Sequence, residues 1–246
     1  MTGKDMLQGI QNLDAELIEE SEFGTFGKGR ARGFGKKKLL LILAAALIML
    51  TPWHKDRIFV DPFCGSGTFP IEAAMMAANI APGMNREFTA EQWENLIPKK
   101  EWYMAIEEAN ENICMDIETD IQGFDLDENV IKIARQNAAN AGVDKLIHFQ
   151  ARDVRQLSHA KKYGFVITNP PYGERLEEKE ALPALYTALG QQFAKLDSWS
   201  AYVITSYTDI EKYFGRKADK NRKIYNGMLK TYFYSFLGPK PPKKNV

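Results

Sequence analysis

One turn between an apolar run and an apolar-periodic segment limits the folds open to this chain more than any other feature. Ile58-Phe59-Val60 reads as a short buried strand, and the loop after it runs Asp61-Pro-Phe-Cys-Gly-Ser-Gly-Thr. A helix is predicted over residues 68–79. Small residues in such a turn let the backbone approach a nucleotide-like ligand. Gly65 and Gly67 lack the third glycine of the dinucleotide fingerprint, so by themselves they indicate only a turn.

A second motif, Asn169-Pro170-Pro171-Tyr172, follows another strand-like run. The Asn169 side-chain oxygen and the Pro170 carbonyl, whose geometry the proline ring restricts, can both accept hydrogen bonds from one exocyclic amino group. Tyr172 offers an aromatic face on which an unpaired or flipped base can stack. Alone, the motif favours a proline-rich turn at a strand end. After the glycine loop it favours an S-adenosylmethionine-dependent methyltransferase that acts on an amine conjugated to a planar ring.

Strand-like and helix-like segments alternate along the rest of the chain. Further strands are predicted at residues 120–125, 146–150, 165–168 and 201–206, and further helices at 128–141 and 182–195. Asn226-Gly227 lies between two strand-like runs and predicts a hairpin. This order predicts an α/β fold, a doubly wound and mostly parallel sheet that ends in a C-terminal antiparallel hairpin.

Residues 83–119 interrupt this alternation and are predicted as a helical insertion. Five apolar residues recur in it at helical spacing, and they are interpreted as a stripe that faces the core. They are Trp102, Ile106, Ala109, Ile113 and Ile117.

Three acids, Asp61, Asp125 and Asp153, lie at or just after predicted strand ends. Ligands of open α/β sheets bind beyond the C-terminal ends of the strands, so these acids are candidate ligand contacts. Asp61 is expected to bind the amino group of the methionine moiety, Asp125 the ribose hydroxyls and Asp153 the adenine amino group. A helix N-cap or a turn remains the alternative for each of them.

Composition limits the partners that the sequence indicates. Lys plus Arg and Asp plus Glu number 32 each, so the net charge gives no sign of nucleic acid. Basic residues concentrate in residues 28–38 and 212–244, where they can hold phosphates non-specifically. The two cysteines, Cys64 and Cys114, and three scattered histidines have no disulfide or metal-ligand spacing. A reduced, cytoplasmic location without a metal is therefore expected.

The apolar run from Leu39 to Leu50 follows three lysines and superficially resembles a signal sequence. It is shorter than the roughly 20 apolar residues that span a bilayer, and it begins deep in the chain for an export signal. We expect a buried helix beside the first strand and no membrane partner.

Five segments together resemble the bacterial THUMP-associated RNA methyltransferases. This group includes the 23S rRNA guanine-N2 methyltransferases and is often labelled as N6-adenine-specific DNA methylases. The segments are Asp61-Pro-Phe-Cys-Gly-Ser-Gly-Thr, Asn79-Ile-Ala-Pro-Gly-Met-Asn-Arg-Glu-Phe, Gly123-Phe-Asp-Leu-Asp, Asn169-Pro-Pro-Tyr-Gly-Glu-Arg and Tyr225-Asn-Gly-Met-Leu-Lys. The resemblance covers residues 44–246. It implies a Rossmann-like class I fold, S-adenosyl-L-methionine as cofactor, and guanine N2 in 23S ribosomal RNA as the target.

The motifs and the resemblance together give a set of expected site residues. Cofactor binding is expected at Asp61, Pro62, Cys64, Gly65, Gly67, Thr68, Asp125 and Asp153. Catalytic roles are expected at Asn169, Pro170, Pro171 and Tyr172. No metal ligand is expected among them.

The expected domain boundary lies near the start of the apolar run. Residues 1–38 are interpreted as an irregular acidic leader with a basic glycine-rich linker, and residues 39–246 as the methyltransferase domain. Family members normally carry a THUMP domain ahead of the catalytic domain, and no segment here resembles one. Two alternatives stay open: methylation of adenine N6 in DNA or of protein glutamine, and an inactive truncated module that binds RNA or a partner.

Overall fold

The structure is a computed structural model that describes residues 36–84, 88–173, 176–226 and 229–242. The predicted leader and most of the basic linker lie outside these residues, as does Gly227 of the predicted turn. The described residues form two compact units. The larger contains the described parts of 36–77 and 116–246, and the smaller those of 78–115.

The larger unit is built on a seven-stranded sheet within the described ranges. Its strands are β1 (Phe59–Asp61), β2 (Ile121–Asp125), β3 (Ile147–Ala151), β4 (Phe165–Thr168), β5 (Ser200–Thr205), β6 (Lys220–Asn226) and β7 (Leu229–Phe236). The spatial order is β3-β2-β1-β4-β5-β7-β6, and β7 runs antiparallel to both of its neighbours, β5 and β6. Every residue of β1, β4 and β5 is buried, as is typical of parallel strands covered on both faces. The predicted α/β fold with a C-terminal antiparallel hairpin is confirmed.

Five helices accompany this sheet in the described part of the larger unit. They are α1 (Lys36–Met49), α2 (Thr68–Ala77), α4 (Glu128–Asn140), α5 (Leu176–Phe193) and α6 (Ile210–Phe214). Helix α5 begins before the predicted residue 182 and continues through Pro183. The Thr187 hydroxyl donates to the Pro183 carbonyl at 2.7 Å, within this continuous helix.

Helix α1 forms from the apolar run that resembles a signal sequence. It buries Ala44, Leu47 and Ile48, and full burial of each larger side chain contributes roughly 2 kcal/mol. It packs against α2, the helix that follows the first strand. No helix among the described residues is long and apolar enough to cross a membrane.

The smaller unit contains a 3₁₀ helix (Thr89–Gln92) and helix α3 (Lys99–Glu111). Helix α3 ends at Glu111, with Asn112 as its C-cap, so Ile113 and Ile117 do not belong to it. Of the predicted stripe only Ala109 is buried, and Ile106 is 39% exposed. The prediction of a five-residue core stripe was wrong: Ile113 and Ile117 lie beyond the end of the helix, and Ile106 within it is exposed.

Candidate active site

The candidate site lies where the strand order reverses. From β1 the chain continues to β2 on one side, and β4 pairs with β1 on the other. Connections that leave in opposite directions open a crevice beyond the C-terminal ends of the two strands. Asp61 ends β1, and Asn169 directly follows the last residue of β4, so both motifs meet at this crevice.

The loop after β1 is held by backbone contacts that need small residues. The Cys64 amide donates to the Phe124 carbonyl and the Gly67 amide to the Cys64 carbonyl, both at 2.8 Å. Gly67 has φ of +90°, and a Cβ there would lie 3.0 Å from the Phe149 ring. A larger residue at Gly67 would therefore strain the backbone and press the loop away from the sheet.

Asp61 is a buried carboxylate, with 1% of its surface exposed. Its Oδ1 accepts hydrogen bonds from the Thr168 hydroxyl at 2.5 Å and from the Phe63 amide at 3.1 Å. Desolvation raises the pKa of Asp61 to about 7; the two hydrogen bonds oppose this shift, and the charge of Asp125 adds to it. Thr168 was not predicted as a site residue, although its position immediately before Asn169 was the available signal.

Asp125 and Asp153 lie at the ends of the next two strands, as expected, but both carboxylates already have partners. Asp125 accepts from the amides of Gly65 and Asp127, each at 3.1 Å, so it ties the glycine loop to the end of β2. Asp153 caps a short 3₁₀ helix and accepts from the Arg155 amide at 2.8 Å. Hydrogen bonds from the Arg155 side chain and then its backbone lower the pKa of Asp153.

A cavity of about 160 Å³ opens between the two motifs. Six predicted site residues line it: Asp61, Cys64, Gly65, Thr68, Asn169 and Tyr172. Seven unpredicted residues complete the lining: Leu43, Ala44, Leu47, Phe63, Ser66, Phe69 and Ile204. Pro62, Gly67, Asp125, Asp153, Pro170 and Pro171 are not among the lining residues. The wall from α1 was missed because its apolar run was interpreted as core alone.

Asn169 contributes the most informative polar atom of this cavity. Its Oδ1 is buried and has no hydrogen-bond partner within the described residues. A buried acceptor without a donor is unfavourable by roughly 1–3 kcal/mol, which a ligand that donates to it would relieve. Pro170 is buried and Tyr172 is half-buried. Gly173, with φ of +71°, lets the motif approach α5, since a Cβ there would lie 2.9 Å from Leu182.

The cysteine of the cavity is not suited to act as a nucleophile. Burial raises the pKa of the Cys64 thiol far above its ordinary range, and the nearby charges of Asp61 and Asp125 add to the shift. The thiol therefore stays protonated at neutral pH and is a poor nucleophile. No group of three or more His, Cys, Asp or Glu residues that could hold a metal ion occurs in the parts of the chain that the structure describes.

Comparison with known proteins assigns this arrangement to a family. The family model described as UPF0020, RMKL-like, methyltransferase domain matches residues 30–234. The chain belongs to this family. Both motifs and all the strands lie within the match, apart from the last two residues of β7.

Relatives of the RMKL-like domain are longer than this chain. YpsC from Bacillus subtilis strain 168, a candidate RNA methyltransferase, is 42% identical over 92% of this chain and 59% of YpsC. The ribosomal RNA large subunit methyltransferase K/L of Shewanella woodyi is 40% identical over 81% of this chain and 29% of its own length. The chain thus spans 59% or less of these two curated relatives.

A solved structure supports the same family and fold. SMU.472, a candidate methyltransferase crystallised with S-adenosylhomocysteine, superimposes with a TM-score of 0.78 and 44% identity. The match covers 82% of this chain and 53% of SMU.472. The predicted Rossmann-like fold and the predicted family resemblance are both confirmed.

Proposed function

We propose that this chain transfers a methyl group from S-adenosylmethionine to the exocyclic amine of a nucleobase in RNA, guanine N2 of 23S rRNA. The buried, unpartnered Oδ1 of Asn169 carries the proposal, because it lines the same cavity as Asp61 and Gly65. An acceptor in that position matches an amine donor. The names of YpsC and of the K/L enzyme support RNA, and ribosomal RNA in particular, as the substrate.

The residues at the sheet edge fit the proposed cofactor. Bound there, S-adenosylmethionine supplies an electrophilic methyl group on a sulfonium. Asp61 can bind its ammonium group, and Asp125 its ribose hydroxyls. Space is open beside Gly65, where a Cβ would meet no atom within 4 Å.

The size of the cavity indicates how much of the cofactor it encloses. Pockets for whole small molecules measure about 300–1,000 Å³, and this cavity measures about 160 Å³. We infer that the methionine end and the target amine share the cavity. Asp125 and Asp153 are not lining residues, so they would hold the adenosine outside the cavity, at the open edge of the sheet.

Catalysis follows from positioning and electrostatics. Asn169 Oδ1 and the Pro170 carbonyl accept hydrogen bonds from the amine, which turns its lone pair out of the ring's conjugation. Tyr172 stacks on the base and fixes its plane. The Thr168 to Asp61 hydrogen bond joins the ends of β4 and β1, so the amine-binding and cofactor-binding motifs keep one spacing.

Replacement of Asn169 tests the proposal most directly. Asn169→Ala should lose about a hundredfold or more in methyl transfer if positioning carries the step. S-adenosylhomocysteine affinity, measured by calorimetry, should stay nearly unchanged. The matched control is Asn140→Ala, an exposed asparagine on α4, which should keep the wild-type rate. Near-normal methylation by the Asn169 variant contradicts the mechanism.

The substrate is tested by tritiated-methyl transfer to unmodified ribosomal RNA, DNA and a release-factor protein side by side. Labelling of guanine N2 in 23S rRNA is expected. Preferential labelling of DNA adenine or protein glutamine would contradict RNA as the substrate but would still support methyl transfer to an amine. If all three stay unlabelled while S-adenosylhomocysteine binds, the chain is a binding module instead.

A further inference from the structure

We propose that a tyrosine and lysine face on the β6–β7 hairpin binds the unpaired RNA nucleotides beside the target base. This hairpin face consists of Lys223, Tyr225, Lys230 and Tyr232. The proposal rests on the proposed function for its choice of partner. Aromatic rings that stack bases, interleaved with cations that contact phosphates, are the features by which proteins hold single-stranded nucleic acid.

Strand register places the four residues of the hairpin face together. Lys223 pairs with Tyr232 and Tyr225 pairs with Lys230, so directly opposed side chains share one side of the hairpin. Each lysine ammonium also lies over a ring, Lys223 at 4.8 Å from the Tyr225 centroid and Lys230 at 5.3 Å from that of Tyr232. Tyr225 is 49% exposed, so its ring is accessible to a base.

The charge of this region has one sign. Residues 220–236 contain Lys220, Arg222, Lys223 and Lys230 and no acid. Pairing of tyrosine with lysine would stabilise a hairpin by itself. Hairpin stability does not require an exposed ring or a stretch without acids. Binding of single-stranded RNA is favoured by both, the ring through base stacking and the basic stretch through phosphate contacts.

The turn end of the hairpin lies at the same edge of the sheet as the catalytic cavity, beyond the C-terminal end of β5. Tyr232 pairs with Thr205 of β5, whose hydroxyl lies 2.6 Å from that of the buried Tyr186. The Tyr186 ring stacks on Tyr207 at a centroid distance of 5.1 Å. Ile204, next to Thr205 in β5, lines the catalytic cavity. Ile204 and Thr205 point to opposite faces of the sheet, so what the cavity and the hairpin face share is the C-terminal end of β5. A strand whose target base occupies the cavity can cross this sheet edge and place its neighbouring bases on the hairpin.

Tyr213 continues the series of stacked tyrosines beyond Tyr207, toward α6. Tyr207 stacks on Tyr213 at 6.1 Å, and the Lys212 ammonium lies 5.0 Å from the Tyr213 centroid. Two acids also lie near these rings. Glu211 accepts a hydrogen bond from the Ala218 amide at 2.8 Å. The pKa of Tyr207 is raised by burial first, then by Tyr213, and then by the charge of Asp209. The RNA phosphates are therefore expected along the hairpin, which has basic residues and no acid, rather than along α6.

Binding of fluorescein-labelled RNA of about a dozen nucleotides, as a mixed-sequence single strand and as the matching duplex, tests the surface. Anisotropy is measured with the full chain across a salt series. Tyr225→Ala should weaken single-strand binding about tenfold, and Tyr225→Phe should restore most of it, because stacking needs the ring. Lys223→Gln with Lys230→Gln should reduce the salt slope by about 1.4, at roughly 0.7 per phosphate contact.

The control removes two exposed lysines outside the hairpin, Lys132→Gln on α4 with Lys195→Gln just after α5, and should leave affinity and slope nearly unchanged. S-adenosylhomocysteine binding by every variant verifies folding. Unchanged affinity in Tyr225→Ala, equal losses with the duplex, or a wild-type chain that binds no RNA at low salt would each overturn the hairpin proposal. If wild type methylates RNA and the hairpin variants match it, only the hairpin proposal fails. If the variants lose RNA binding but wild type methylates nothing, only the proposed function fails.

Discussion

At the scale of single residues, Asp61 combines two opposed demands. Its burial disfavours a charge, and its expected partner, a cofactor ammonium, requires one. The pKa of Asp61 rises from an ordinary 3.8 to about 7, chiefly by desolvation. The free protein therefore holds this carboxyl close to half-protonated at neutral pH, and a bound cation would favour its charged form.

Replacing Asp61 with an uncharged isostere should change stability in a pH-dependent way. A folded-state pKa above the unfolded value means that wild-type stability is greatest below about pH 4 and falls as the pH rises to about 7. The free energy of unfolding of Asp61→Asn should therefore exceed that of wild type by up to about 4 kcal/mol at about pH 8 and equal it near pH 4. Urea unfolding at several pH values measures this difference.

A control for the Asp61 experiment is Glu72→Gln. Burial also raises the pKa of Glu72 to about 7, so its replacement should shift stability with the same sign but leave cofactor binding intact. Asp61→Asn should weaken S-adenosylhomocysteine binding. A variant less stable than wild type at pH 8 would contradict the assignment of Asp61 as a buried charge.

Asp125 gives a second prediction at this scale. Its carboxylate accepts from the Gly65 amide and is expected to accept from the ribose hydroxyls as well. Asp125→Ala should weaken S-adenosylhomocysteine binding by about 1.5–3 kcal/mol, the range for hydrogen bonds to a charged group. Calorimetry measures the loss, with Asp144→Ala, an exposed residue at the start of a 3₁₀ helix, as the control. Unchanged affinity removes Asp125 from the site.

At the scale of elements, the contact between α5 and α6 depends on one small residue. A Cβ on Gly190 would lie 2.2 Å from the Phe214 carbonyl oxygen, so the backbones of the two helices approach as closely as glycine allows. Phe214 in turn stacks on Phe236 of β7, with ring centroids 4.0 Å apart. Gly190 therefore also helps to position Phe214 for its contact with β7.

Gly190→Ala should destabilise the chain by about 3 kcal/mol or more, because backbone atoms must move to admit the methyl group. Gly142→Ala is the matched comparison, since it has φ of +73° and open space around the new Cβ. It should lose only about 1–2 kcal/mol through conformational strain. Urea unfolding of both variants measures the difference, and equal losses would show that the close contact at Gly190 destabilises no more than the conformational strain at Gly142.

At the scale of the whole molecule, cofactor binding should appear as a gain in thermal stability. A ligand at about a hundred times its Kd adds about 2.7 kcal/mol, or roughly 5–10 °C in Tm for a chain of this size. S-adenosylhomocysteine should produce this shift in wild type and in Asn169→Ala, and less of it in Asp125→Ala.

Salt separates the two binding events of the whole chain. Raising the salt concentration should leave the S-adenosylhomocysteine shift in Tm almost unchanged, because its contacts are partly buried. RNA binding should weaken steeply over the same range, since it releases counterions. A Tm that does not respond to saturating S-adenosylhomocysteine at any salt concentration contradicts the cofactor assignment.

The sequence by itself determined the elements and the two motifs. The strand ends at Asp61, Asp125 and Thr168 could be predicted because hydrophobic patterning is a property of consecutive residues. Asn169 and Tyr172 could be identified for the same reason, since the Asn-Pro-Pro-Tyr motif directly follows a strand and is visible in consecutive residues. The end of α3 was misjudged because helical periodicity alone does not mark the residue at which a helix stops.

Only the tertiary structure decided which of these residues share a site. The order β3-β2-β1-β4-β5-β7-β6 places Asp61 beside Thr168, more than a hundred positions apart in the chain, and turns Asp125 toward Gly65. It also brings α1 to the cavity wall through Leu43 and Leu47. Such contacts depend on summed burial over the entire core and on right-handed strand connections. No local pattern in the sequence carries that information.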